Sequence, residues 1–172
     1  MRAYLYQDSS EDPRSPHDSG TLISNAILSD LGVLYFHISD VDPIPQLEKI
    51  AKERQYKNRD TVHISPTTLP NYDQKLNIFF TEHIHEDEEI RFIVDGSGYF
   101  DVRDRQDQWV RIAVEKGDLL ILPPGIYHRF IVDMKNEIKA VRLFKDEPKW
   151  TPINRPEADD NVIRQEYVAS LG

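Results

Sequence analysis

His83-Ile84-His85-Glu86-Asp87-Glu88-Glu89-Ile90-Arg91-Phe92-Ile93-Val94-Asp95-Gly96 is the stretch that decides the fold. Alternate residues of a strand face one side, so His83 and His85 project together with Cα atoms about 6–7 Å apart, close enough for two imidazoles to share an ion. On a straight strand Glu89 would share that face but lie about 13 Å from His85, beyond reach of the same ion. The acidic run Glu86-Asp87-Glu88 must therefore bend the chain, so that Glu89 opens the next strand and its carboxylate swings back. The same parity carries Arg91 inward, where a guanidinium that stays charged near neutral pH offers a fork for an anionic oxygen pair.

Downstream, short apolar segments alternate with turn chemistry at intervals of about ten residues, as a sandwich or barrel requires. Ile90 to Val94 precedes Asp95-Gly96-Ser97-Gly98, Tyr99 to Val102 precedes a polar run, and Trp109 to Val114 precedes Glu115-Lys116-Gly117-Asp118. Leu119 to Leu122, Tyr127 to Val132 and Ile138 to Phe144 complete the set. Upstream the texture is different. Ile44, Leu47, Ile50, Ala51 and Arg54 recur at helical spacing and predict a helix over 45–57, and a shorter one begins near Asn71. Thr21 to Ser24 and Gly32 to Ile38 are further strand candidates. Residues 1–80 thus form a mixed strand and helix part, 81–145 the barrel strands and 146–172 an irregular strap, within one domain. The expected class is mainly β, a small barrel with a few helices outside, whose extra strands cover the sheet edges.

A length of 172 residues suits one core, and 39% apolar residues suffice for it. The 21 Lys and Arg against 30 Asp and Glu give a net charge of −9, which repels nucleic acid and anionic lipid. No nucleic-acid or membrane partner is expected. With zero cysteines there is no disulfide, thiolate metal site or thiol nucleophile, so any metal is held by nitrogen and oxygen. No apolar run spans a membrane and the amino end lacks a signal peptide's apolar core, so a cytoplasmic location, extending to the nucleus, is expected.

A third histidine stands in Gly125-Ile126-Tyr127-His128, sharing its strand face with Phe130 and Val132. Taken singly, each signal has a bland explanation: surface histidines, a solvated acidic loop, a satisfied histidine, a proline turn. Their joint spacing overrides those explanations.

That spacing resembles the cupin superfamily. The first motif of that superfamily is met by His83, His85, Glu89 and Gly96, and the second by Gly117, Pro123, Gly125 and His128. Two departures stand out: Ile78-Phe79-Phe80 replaces the usual glycine before the histidine pair, and Val132 replaces a usual asparagine. Glu82 to His85, Glu89 to Asp104, Glu115 to Asp118 and Gly125 to Phe130 are similar to the acireductone dioxygenase family of methionine salvage. Thr68 to Tyr72, Arg142 to Phe144, Asn154 to Pro156 and the opening Met1 to Tyr6 fit the family's eukaryotic type.

The resemblance implies a cupin-type double-stranded β-helix in which His83, His85, Glu89 and His128 hold one Fe(II) or Ni(II) with two positions open. It implies that 1,2-dihydroxy-3-keto-5-methylthiopentene reacts with O2, giving formate and 2-keto-4-methylthiobutanoate with iron, or formate, carbon monoxide and 3-methylthiopropanoate with nickel. Arg91 and Arg142 match positions proposed to contact the anionic substrate, and Phe130 an aromatic one lining the pocket. The chain is expected to act as a monomer. A metal-binding module for a small acidic ligand without turnover, and a metal-independent interaction domain, are the competing readings.

Overall fold

In a computed structural model of the chain, residues 1–39, 41–145 and 151–172 are described. The elements run β1 (Arg2–Tyr6), β2 (Asp18–Leu22), α1 (Asn25–Asp30), β3 (Leu34–His37), α2 (Ile44–Glu53), β4 (Asn58–Ile64) and α3 (Tyr72–Phe80). They continue with β5 (His83–Ile84), β6 (Glu89–Arg103), β7 (Trp109–Glu115), β8 (Asp118–Leu122), β9 (His128–Val132), β10 (Ile138–Phe144), β11 (Ile153–Asn154), a 3-10 turn (Glu157–Asp160) and α4 (Val162–Ser170).

The long strand β6 organises the rest. Its first part pairs with β8 through Glu89–Phe92 and with β10 through Ile90–Gly96, while its second part pairs with β7 and β9. One strand therefore belongs to two layers, β3-β8-β6-β10-β4 and β11-β5-β9-β6-β7-β1-β2, which close around a shared interior. The passage between layers falls at Gly96, where φ is +78° and a Cβ would stand 2.3 Å from the carbonyl oxygen of Glu137. Only glycine fits that conformation and that approach. A register shift beside it leaves Val94 unpaired, since Lys139 and Ala140 oppose Asp95 and Ile93. Such a bulge bends a strand without ending it. The two strands expected on either side of Asp95-Gly96-Ser97-Gly98 are thus one strand turning a corner.

Parity along β6 sends its side chains to two places. Ile90 and Phe92 pack with Leu47 and Ile50 of α2, Leu119, Ile121, Val141 and Leu143, whereas Glu89, Arg91 and Ile93 line the interior. Burying Leu47 and Ile50 fixes α2 on the outer face, worth roughly 1.5–3 kcal/mol per side chain. The helix stops at Glu53, short of the expected 57, because Gln55 turns to φ +65° and the chain enters β4.

The carboxyl-terminal part is more ordered than an irregular strap. Residues 146–150 lie outside the described set; beyond them come β11, the 3-10 turn and α4. Asn161 caps α4 by accepting from the amide of Ile163 at 2.8 Å, and buried Tyr167 donates its hydroxyl to the carbonyl of Leu31 at 2.8 Å. A Cβ at Gly125 would meet the Ile163 carbonyl oxygen at 2.6 Å, so α4 lies directly against the turn that delivers His128.

Candidate metal centre

His83 begins β5 and stands directly opposite His128, the first residue of β9. The chain bends at Glu86 and Asp87, as the spacing requires, and Glu89 starts β6 paired with Leu122. The Gly125 amide donates to the His85 carbonyl at 3.1 Å, tying the two motif segments together. All four side chains are buried and line one cavity. Ring centroids are 4.9 Å apart for His83 and His85, 4.5 Å for His83 and His128, and 5.2 Å for His85 and His128. One nitrogen from each imidazole lies within 4.8 Å of the others, a group that could hold a metal ion.

The outer nitrogens are anchored. Nδ1 of His83 faces the Thr81 carbonyl at 2.5 Å and Nδ1 of His128 the Ile126 carbonyl at 2.9 Å, which turns both Nε2 atoms inward. Nδ1 of His85 makes no hydrogen bond among the described residues, although the Thr151 backbone bears on it enough to favour its charged form slightly. Oε2 of Glu89 stands 2.6 Å from Nε2 of His128 and 3.5 Å from Nε2 of His85. His128 thus has an acceptor at each ring nitrogen, whereas a neutral imidazole carries a single N–H. Nε2 of His128 and the Glu89 carboxylate are thus brought together on the side where the other two imidazoles converge. Three imidazoles and one carboxylate are donors that suit Fe, Ni or Mn, so the residues present fit such an ion.

Electrostatics favour the ligating protonation states. Burial, then the neighbouring His128, pushes His83 down to about 4. His85 also falls to about 4, burial outweighing the opposite pull of Glu89. Burial alone would raise Glu89, but Arg91 and then His128 outweigh it and hold the carboxyl well below its usual range. At neutral pH two imidazoles are neutral and the carboxylate is charged. Nη2 of Arg91 lies 3.3 Å from Oε1 of Glu89.

Above this cluster is a cavity of about 170 Å3. Three strands build one wall in matched rungs. Asp60 of β4, Arg142 of β10 and Arg91 of β6 stand in one rung; Val62, Ala140 and Ile93 form the next, and Ile64, Ile138 and Gly96 the one after. The wall therefore grades from charged beside Glu89 to apolar further along. Phe130 lines the cavity with its ring 4.8 Å from Phe100 and 6.3 Å from Phe79 of α3.

The sequence reading placed Arg91, Arg142 and Phe130 at this site, and the structure brings all three to the cavity. It missed Asp60, which accepts from Nε and Nη2 of Arg142 at 2.8 and 2.6 Å. The alternation Asp60, Val62, Ile64 was a signal for β4, obscured by the polar residues between. His17, His37 and His63 are not among the cavity-lining residues; His37 instead meets Asp118 and His63 meets Glu137.

The model of the ARD/ARD' family matches residues 2–152. The chain is 57% identical to the acireductone dioxygenase of Phaeosphaeria nodorum over 98% of its own length and 95% of that protein's. To the acireductone dioxygenase of Branchiostoma floridae it is 52% identical over 100% of this chain and 98% of that one. Among solved structures, the acireductone dioxygenase from Bacillus anthracis with a cadmium ion in its active centre is similar with a TM-score of 0.71 and 26% identity. The likeness covers 88% of this chain and 96% of that one, and the shared fold is the cupin fold expected above.

Proposed function

The chain belongs to the ARD/ARD' family, the acireductone dioxygenases, and on that premise we propose that His83, His85, Glu89 and His128 hold one Fe(II) or Ni(II) ion beneath a pocket for 1,2-dihydroxy-3-keto-5-methylthiopentene. When bound, such an ion would act as a Lewis acid toward the substrate oxygens and would offset the charge of the enediolate that reacts with O2. The observation that carries this reading is the pair of acceptors facing His128, with Glu89 at 2.6 Å on the side where His83 and His85 converge.

The chain's own residues do the rest. The carbonyls of Thr81 and Ile126 fix the orientation of two imidazoles, a constraint that typically matters 10–100-fold in metal affinity. Arg91 and Arg142 place cationic forks on the wall beside Glu89, where they meet the anionic oxygens of the substrate. Val62, Ala140, Ile93, Ile64 and Ile138 offer an apolar channel for the methylthioethyl end, and Phe130 with Phe79 and Phe100 keeps water from the reacting carbons.

Loading the metal-free protein separately with Fe(II) and Ni(II), then supplying acireductone and O2, tests the proposal. The iron form should yield formate and 2-keto-4-methylthiobutanoate, the nickel form formate, carbon monoxide and 3-methylthiopropanoate. Metal uptake without oxygen consumption in either form would favour a binding module that does not turn over.

A further inference from the structure

Asp60 does not line the cavity, yet it grips a residue that does. Its carboxylate accepts both Nε and Nη2 of Arg142, a side-on fork that fixes the plane of the guanidinium as well as its position. Asp60, Arg142 and Arg91 stand opposite one another on three adjacent strands, so two guanidinium groups occupy neighbouring places in one rung. Arg142 works against the charge of Arg91, and Asp60 supports it. The double hydrogen bond from Asp60 opposes the repulsion between the two guanidinium groups and holds that of Arg142 in one orientation.

The bland reading is an exposed ion pair of little consequence, since Asp60 and Arg142 side chains are 42% and 27% exposed. Two features speak against it: the contact is doubly hydrogen-bonded, and Arg142 reaches the cavity wall.

We infer that Asp60 is a positioning residue for substrate binding: it holds the Arg142 guanidinium on the pocket wall beside Arg91, so that an incoming dianion meets two aligned cations. This rests on the substrate pocket proposed above. It adds a residue outside that pocket whose loss weakens binding while sparing the metal ligands.

The experiment uses nickel-loaded protein under argon and acireductone as the probe, with binding followed by the absorbance of the enediolate. Asp60→Asn should weaken binding about tenfold, on the scale of one charge-assisted contact, with metal content and unfolding midpoint unchanged. Asp60→Glu should restore affinity to within about threefold. In an Arg142→Ala background Asp60→Asn should add no further loss, because its effect runs through that guanidinium. In air, KM for acireductone should rise while kcat changes little. Wild-type affinity in Asp60→Asn, or a full loss that persists without Arg142, overturns the inference alone. Failure of the wild-type protein to bind acireductone overturns the functional reading and this inference with it.

Discussion

Oε2 of Glu89, the first residue of β6, meets Nε2 of His128, the first residue of β9, at 2.6 Å while the other nitrogen of that imidazole faces a backbone carbonyl. Two strand starts that lie 39 residues apart in the chain thus converge on one point. β6 and β9 are hydrogen-bonded neighbours, and His128 pairs with Val102 near the far end of β6. Glu89 reaches the same imidazole because β6 turns its corner at Gly96 and brings its start back over the interior.

That corner is open to direct test. Gly96→Ala puts a Cβ against backbone atoms at positive φ, so it should destabilise the protein by about 2 kcal/mol or more, read from urea unfolding. A loss under about 0.5 kcal/mol would mean that the corner has another way to form.

The wall of the cavity sets a second expectation. Ala140 stands between Val62 and Ile93 in the first apolar rung, so Ala140→Leu should shorten the apolar channel. KM for the methylthio substrate should rise about tenfold, whereas an analogue without the methylthio end should change less than about twofold. Equal changes for both would place the tail elsewhere.

Acid should act on the metal-free protein in a defined window. His83 and His85 sit at about 4 in the folded chain against 6.5 for an unperturbed imidazole. Between those values the unfolded chain takes up protons that the native state refuses, so stability falls as pH drops from about 6.5 to 4 and is level above that range. The loss should be on the order of 2–3 kcal/mol per imidazole. Urea midpoints at several pH values check this, and replacing both histidines with Gln should flatten the slope. An unchanged slope in the double variant would contradict it.

Away from the cavity, Asp101 is almost fully buried and accepts from Nε and Nη2 of Arg111 at 2.8 and 2.9 Å and from Nε of Arg129 at 2.8 Å. Arg111 has no exposed surface and also donates to the carbonyls of Pro13 and Ser15, pinning the segment that follows β1. Asp101→Asn leaves a buried guanidinium without its charge partner and should cost about 3–5 kcal/mol in unfolding free energy. A cost below about 1 kcal/mol would show that the carbonyls suffice.

The barrel strands from Ile90 to Phe144 were legible in the sequence because buried apolar runs and turn residues alternate there. The bend after His85 was legible from spacing alone, since one ion cannot bridge a straight strand. Gly96 was read as part of a turn because glycine-rich chemistry marks bulges and turns alike, and only the pairing partner distinguishes them. β4 was hidden by polar residues at Asn58, Arg59, Asp60 and Thr61 on a strand that, among the described residues, pairs only with β10. β1 and α4 carry mixed patterns whose burial depends on distant partners, as Tyr167 on Leu31 illustrates. Asp60 could not be foreseen, because its meaning comes from standing opposite Arg142, and cross-strand register does not exist in one dimension.

The central claim is that three imidazoles and the Glu89 carboxylate together hold one catalytic ion. Glu89→Ala protein, purified beside wild type, should be assayed for bound iron and nickel and for oxygen uptake with acireductone. The account predicts one ion per wild-type chain, metal affinity at least about a hundredfold weaker in the variant, and oxygen uptake lost in the same proportion. Full oxygen uptake by a variant that carries no metal would contradict it.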